Sequence, residues 1–268
     1  MTDDYVHGYS QRETKRLHDQ AGSVRELFHH DTRYPPGSLI LEAACGVGAQ
    51  TVTLASNSPG AYLVSVDRSA VSLAEAAGLI ASRGISTVGF SHADIFALPF
   101  GKECFNHVWV CHVLEHLTQP TEALRRLRDV LETGGSLTAI EGDHGSCYFH
   151  PETDEALQAW NCLIQVQAGL GADSLIGRRL FPLLSDAGFR DVHVSPRMVY
   201  MDRSNPGLMD AFVNLTIIPM VMGVREQALE AGMMDQESWD KGIEDLYEVA
   251  RRGDGTFCYT FFKGTAIK

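Results

Sequence analysis

The stretch LILEAACGVGAQTVTLA, Leu39 to Ala55, constrains the fold more than any other part of this chain. A short apolar run gives way to small residues and then to a helix-like pattern, so a strand must hand over to a helix through a turn of nearly bare backbone. Gly46 and Gly48 carry no Cβ, which permits unusual dihedrals and lets another group approach closely. A strand, a glycine turn and a helix together point to an α/β fold with a ligand over the turn.

Two ligand classes fit such a turn. A dinucleotide fingerprint, G-x-G-x-x-G, begun at Gly46 would put its third glycine at Thr51, whose side chain would crowd the helix against strand and pyrophosphate. An S-adenosylmethionine (SAM) site asks for an acidic residue followed by small positions, and Glu42, Ala44, Gly46 and Gly48 supply them with alanine in place of the first glycine.

The rest of the chain alternates strand-like and helix-like runs, the signature of βαβ units and a parallel sheet. SLILEAA, AYLVSVD, TVGFSHAD, FNHVWVCHV and SLTAIEGD read as strands one to five, with a helix over SAVSLAEAAGLIASRG and another over QPTEALRRLRDVLETGG that opens with Pro120. FPLLSDAGFRDVHVSPRMVY reads as a helix and sixth strand, and GTFCYTFFKGTA as a seventh. The stretches 146–180 and 204–254 exceed what a tight connection needs and carry Met, Leu, Ile and Trp at helical spacing, which predicts helices covering the sheet. The expectation is one Rossmann-like, seven-stranded, doubly wound α/β domain over 1–268. Its parts are an N-terminal helical lid (1–35), a ligand-binding core (36–145), cap insertions at 146–180 and 204–254, and a closing strand (255–268).

Composition narrows the partners. A formal charge of −12 over 268 residues, with no strongly basic segment, argues against nucleic acid, whose phosphates are met by clustered Lys and Arg. The start MTDDYVHGYS is acidic and polar, and no run of about 18 apolar residues occurs, so neither signal peptide nor membrane span is expected. Six cysteines are scattered without a CxxC pair, which suits reduced thiols in a cytoplasmic protein.

In an open parallel sheet, ligands bind beyond the carboxyl ends of the strands. Asp67 closes strand two, where a carboxylate can accept from ribose hydroxyls; Asp94, followed by apolar Ile95 and Phe96, closes strand three, where it suits an adenine amino group and ring face. LEAACGVGAQ, VSVDRS, HADIFALPF, FNHVWVCHVLEHL and LETGGSLTAIEGD together resemble the successive motifs of class I SAM-dependent methyltransferases, from about Pro36 to Asp143 and on through the SDAGF helix end.

The resemblance implies a small-molecule methyltransferase that uses SAM, releases S-adenosylhomocysteine and needs no metal. It implies that Glu42, Ala44, Gly46 and Gly48 shape the methionine end of the site, and that Asp67 holds the ribose with Arg68 beside it. Asp94 with Ile95 would take adenine, and Cys111 and His112 would lie along the amino acid moiety, supported by His116. Two positions depart from the family: Ala44 replaces the usual first glycine, and Asn106 stands where many members carry Asp, which questions a supporting hydrogen bond.

Methyl transfer from a sulfonium is an in-line displacement, so alignment and exclusion of water carry most of the chemistry and a base matters only if the acceptor loses a proton. IEGDHGSCYFHPE, read as a loop leaving strand five, holds Glu141, Asp143, His144, Tyr148 and His150, and His144 is the expected general base. Asp143, His144, Cys147 and His150 could alternatively be metal ligands, although their spacing matches no familiar zinc pattern. In the N-terminal segment Tyr9 is the expected lid residue, its ring face suited to a sulfonium cation, and the segment could dock on a second subunit. The methionine-rich stretch MDAFVNLTIIPMVMGVREQALEAGMMDQESW favours a small hydrophobic or aromatic acceptor from specialised metabolism. C-methyltransferases of teleocidin-type terpenoid indole alkaloids, which methylate a prenyl double bond and form a carbocation, are one similar type. A catalytically silent SAM-binding regulator and an NAD-dependent oxidoreductase are the rival classes.

Overall fold

The computed structural model describes residues 24–268. A helix over 24–29 (α1) leads to β1 (Leu39–Ala43), and β2 (Tyr62–Asp67), β3 (Val88–His92) and β4 (Phe105–Cys111) follow, with α2 (Thr51–Asn57) and α3 (Ala70–Ser82) between the first three. Next come α4 (Pro120–Val130), β5 (Leu131–His150), α5 (Asp154–Gly169), α6 (Leu180–Asp186) and β6 (Arg190–Met201). A run of helical segments, Pro206 to Arg251, precedes β7 (Thr256–Ile267).

The seven strands form one sheet in the order β3-β2-β1-β4-β5-β7-β6. β1 pairs in parallel with β2 and β4, and β3 and β5 extend the parallel set on either side. β7 runs against its neighbours: the Lys268 N–H donates to the Gly135 carbonyl (2.9 Å) at the start of β5, and the Arg190 guanidinium at the start of β6 reaches the Lys268 carbonyl (3.0 Å). The strand order reverses between β1 and β4, so the crevice beyond their carboxyl ends is where such a sheet takes its ligand.

β1 can sit at the centre because LILEA is apolar on both faces, apart from one glutamate. α4 buries Ala123, Leu124, Leu127 and Val130, a single stripe at helical spacing, and Pro120 at its first turn loses no hydrogen bond there.

Two compact units divide the chain. The first comprises Arg25–Gly142, Ile176–Arg197 and Phe261–Lys268; the second holds Asp143–Leu175 and Met198–Thr260. Within the second, α5 and α10 (Gln236–Arg251) are capped by the side chains of Thr153 and Asp235. They approach so closely that a Cβ on Gly242 would meet the Glu155 carbonyl at 2.4 Å. Between them in sequence lie α7 (Pro206–Met209), a π-helical stretch (Asp210–Ile217), α8 (Ile218–Met222) and α9 (Arg225–Glu230). The first expected insertion, 146–180, is divided: α5 belongs to the second unit, whereas the 3-10 turn Ile176–Arg179 joins the first.

Two expectations about strand five need correction. α4 ends at Val130, so LETGG opens β5 rather than closing the helix, and the ladder to β4 slips between the Phe105–Leu131 and His107–Ser136 pairs to absorb the extra residues. IEGDHGSCYFHPE is not a loop either, because β5 continues to His150 beside β7, which satisfies its backbone. Among the described residues no helix is long and apolar enough to cross a membrane.

Candidate active site

The glycine turn leaves β1 through three left-handed residues, Ala44 (φ +55°), Gly46 (φ +54°) and Gly48 (φ +79°). They serve different ends. A Cβ on Gly48 would come within 3.0 Å of the Ala76 Cβ, so this glycine lets the turn press on α3; a Cβ on Gly46 would meet nothing within 4 Å, so the backbone there faces open space.

Asp67 closes the turn from β2. Its Oδ2 accepts the Gly46 N–H at 2.8 Å and its Oδ1 accepts the Ser69 N–H at 2.8 Å, while the Ser69 hydroxyl caps α3. Buried Glu42, one strand away, accepts the hydroxyls of Thr51 (2.7 Å) and Ser65 (2.6 Å). Thr51, the residue that spoils a dinucleotide fingerprint, is thus a partner of the acidic residue that opens the motif. Burial pushes the Glu42 carboxyl up to about 7, against the pull of the two hydroxyls and with a further push from the Asp67 charge.

A second group of acids lies at the ends of β4 and β5. Glu141, fully buried on β5, accepts the backbone N–H groups of Val113 (3.0 Å) and Leu114 (2.9 Å) through Oε1. Burial and the neighbouring Glu115 carboxylate push it up to about 8, opposed by those amides and that of Glu115. The Glu115 Oε1 lies 4.0 Å from His112 Nδ1 and 3.6 Å from His116 Nε2. His112 is held at φ +55° with its ring against Phe28 and Phe261, centroids 5.5 and 5.4 Å away. Burial, with the charges of Glu141, Glu42 and Glu115, raises the Cys111 thiol well above its usual range, so it stays neutral and is no nucleophile. Glu42 and Asp67 at the glycine turn, and Glu115 and Glu141 beyond β4 and on β5, are all buried acids.

The remaining expected residues distribute unevenly. Asp94 is exposed and accepts the Phe96 N–H (2.8 Å), Ile95 beside it is buried, and Arg68 is exposed with its carbonyl accepting from His92. The Asn106 support survives its substitution: Oδ1 accepts the Leu39 N–H at 2.7 Å, and the amide donates to Glu132 at 2.9 Å, which the usual aspartate could not do. Tyr9 lies outside the described residues. His144 belongs to the second unit, where Nδ1 meets the Tyr259 hydroxyl at 2.7 Å, the ring tilts against Trp160, and the carbonyl accepts the Trp160 indole N–H. The alternative metal set does not assemble: Asp143 accepts from Gly145 and Ser146, and His150 is exposed near Asp254.

Sequence reasoning missed Glu115 and put Glu141 in a loop. The signal lay in CHVLEHL and LTAIEGD, where a glutamate directly follows the apolar pairs Val113–Leu114 and Ala139–Ile140. Such a charge is seldom buried without a task.

A sequence profile described as a methyltransferase domain matches residues 41–139. A malonyl-[acyl-carrier protein] O-methyltransferase from Herminiimonas arsenicoxydans is 31% identical over 233 residues, 84% of this chain and 79% of that protein. The chain belongs to the class I SAM-dependent methyltransferases. An uncharacterized 37.1 kDa protein of transposon TN4556 in Streptomyces fradiae is 30% identical over 85% of this methyltransferase-family chain, which spans 63% of that protein's length. The fold is shared with geranyl diphosphate C-methyltransferase of Streptomyces coelicolor A3(2), solved with S-adenosyl-L-homocysteine, at a TM-score of 0.53, 12% identity, and coverage of 93% of this chain and 75% of that one.

The residues of this methyltransferase fold suit a cationic nucleoside better than an anionic one. A dinucleotide's pyrophosphate draws on free backbone amides at the turn. Here the Gly46 amide is taken by Asp67, and Glu42 stands behind it. Open space over Gly46 leaves room for the ligand.

Proposed function

We propose that this protein transfers the methyl group of SAM to a small hydrophobic or aromatic acceptor. The observation that carries the reading is the glycine turn itself, whose central amide is already bonded to Asp67, with buried Glu42 behind it and open space over Gly46. SAM supplies an electrophilic methyl on a sulfonium, and this chain's residues supply its binding and alignment. Glu42, Ala44, Gly46 and Gly48 shape the methionine end, Asp67 accepts from the ribose hydroxyls, and Asp94 with Ile95 borders the adenine. Cys111 and His112, with His116 behind them, flank the amino acid end.

His144 is the proposed acceptor of any proton the substrate loses. Its Nδ1 contact to Tyr259 fixes the ring, as a base needs. Tyr9 is the proposed aromatic lid. A role in specialised metabolism, including C-methylation of a prenylated indole, rests on the methionine-rich Met209–Met234 stretch and on the likeness noted above.

Calorimetric titration with S-adenosylhomocysteine tests the cofactor reading. Binding by the wild type, with a loss of about 1–3 kcal/mol in Asp67→Ala, is expected because ribose hydroxyls and the Gly46 amide lose their charged acceptor. Absence of heat with the wild type, or tight binding of NADH instead, overturns it. Labelled SAM incubated with small-molecule extracts then identifies the acceptor by mass spectrometry. On that acceptor His144→Ala should lower kcat by about 10²-fold with S-adenosylhomocysteine affinity unchanged, and Tyr259→Phe by less. Full turnover in His144→Ala would leave a silent base and alignment alone; no methylated product from any extract favours a SAM-binding regulator.

A further inference from the structure

We infer that His112, Glu115 and Glu141 form a binding site for a divalent cation at the carboxyl ends of β4 and β5. One ligand atom from each of the three lies within 4.8 Å of the others, and among the described residues this is the group of metal-binding side chains that converges in this way. A single ion with ligands at about 2.0–2.2 Å holds neighbouring donors roughly 3–3.5 Å apart. The Glu115 Oε1 to His112 Nδ1 distance, 4.0 Å, closes to that range with a side-chain adjustment.

An independent observation points to a ligand. Glu141 is fully buried, its Oε1 is engaged by backbone amides, and its Oε2 has no hydrogen-bond partner among the described residues. A buried carboxylate oxygen without a partner carries a desolvation cost that a protein normally meets with a donor or a cation. The Glu115 charge beside it adds repulsion rather than relief. The backbone also holds the donors in place: His112 is fixed at φ +55°, Glu115 and His116 ride on the 3-10 turn Leu114–His116, and the Val113 and Leu114 amides anchor Glu141.

The donor set chooses among cations. One or two imidazoles with two carboxylates suit Mn²⁺, Fe²⁺ or Zn²⁺ better than Ca²⁺ or Mg²⁺, which prefer all-oxygen shells. This site is distinct from the sequence-based set of Asp143, His144, Cys147 and His150, and it departs from the expectation that the protein needs no metal.

Chelator-treated full chain titrated with Mn²⁺, followed by electron paramagnetic resonance and by thermal shift, tests the inference without any acceptor. The expected result is one saturable site per chain, nitrogen modulation in the pulsed spectrum from a coordinated imidazole, and a Tm increase with added Mn²⁺. His112→Ala and Glu115→Gln should each weaken binding tenfold or more. Should either variant fail to fold by circular dichroism, the nitrogen modulation in the wild type still decides the matter. No saturable binding of Mn²⁺ or Zn²⁺, binding without nitrogen modulation, or folded variants that bind as the wild type does, would each overturn the site. Because the assay reads the ion alone, its failure leaves the methyl-transfer reading untouched, and loss of S-adenosylhomocysteine binding would leave the ion site untouched.

Discussion

Ala44 is an L-residue in a left-handed backbone, φ +55°, at the position where related turns carry glycine. The left-handed region costs a non-glycine residue roughly 1–2 kcal/mol, and glycine returns part of that as unfolded-chain entropy. Ala44→Gly should therefore raise stability by about 0.5–1 kcal/mol and Tm by roughly 1–3 °C in a scanning calorimeter. The chemical type of this residue is plain from the sequence, but its strain is not, because a dihedral is a property of the turn.

Glu42 gives a pH dependence with a definite sign. Its folded carboxyl sits at about 7 against 4.5 in the unfolded chain, so the folded state holds the proton more tightly. Stability from this group is fully present below about 4.5 and is lost as pH rises through about 7. In metal-free buffer, Tm should fall between about pH 4.5 and 7, and Glu42→Gln should flatten that fall; an unchanged slope would show that Glu42 is not its source. Glu141 acts in the same direction up to about 8, so some slope should remain.

At the scale of elements, strand five shows where reading the sequence stops. Its first turn of residues, Glu132 to Gly135, looks like a helix end because two glycines follow a polar pair. Its far half, Asp143 to His150, looks like a loop because Gly145 and Ser146 interrupt the apolar pattern. Both belong to β5, since pairing with β4 and β7 supplies the backbone hydrogen bonds that local propensity withholds. β1, β2 and β4, with strong apolar runs, are legible almost to the residue. The α5–α10 contact is decided by Gly242, which in sequence is merely a glycine inside a helix. Gly242→Ala would drive its methyl to 2.4 Å from the Glu155 carbonyl. Destabilisation by about 2 kcal/mol or more in urea unfolding is expected, opposite to the usual gain from removing a helical glycine.

For the whole molecule, the glycine turn and Asp67 are legible because their chemistry and their strand ends coincide in sequence, whereas Asp94 lies two residues beyond the end of β3 at His92 rather than closing it. The acid group of Glu115 and Glu141 is less so, because it joins two strands that are neighbours only after folding. The division into two units is harder still, since the boundary at Gly142–Asp143 falls inside a strand. Hydrogen exchange on addition of S-adenosylhomocysteine should accordingly show new protection at 42–48, 67–69 and 94–96, all within the first unit. Protection confined to Asp143–Leu175 or Met198–Thr260 would contradict the placement of the cofactor.

The Gly46 to Asp67 hydrogen bond has a consequence for selectivity. An α/β turn with a free amide invites phosphate-bearing nucleotides. Here the inviting donor is occupied before any ligand arrives, and its occupant carries negative charge. Under the proposed cofactor reading, prior commitment of one backbone proton would let adenine and ribose be recognised without admitting the phosphate-bearing molecules that share them.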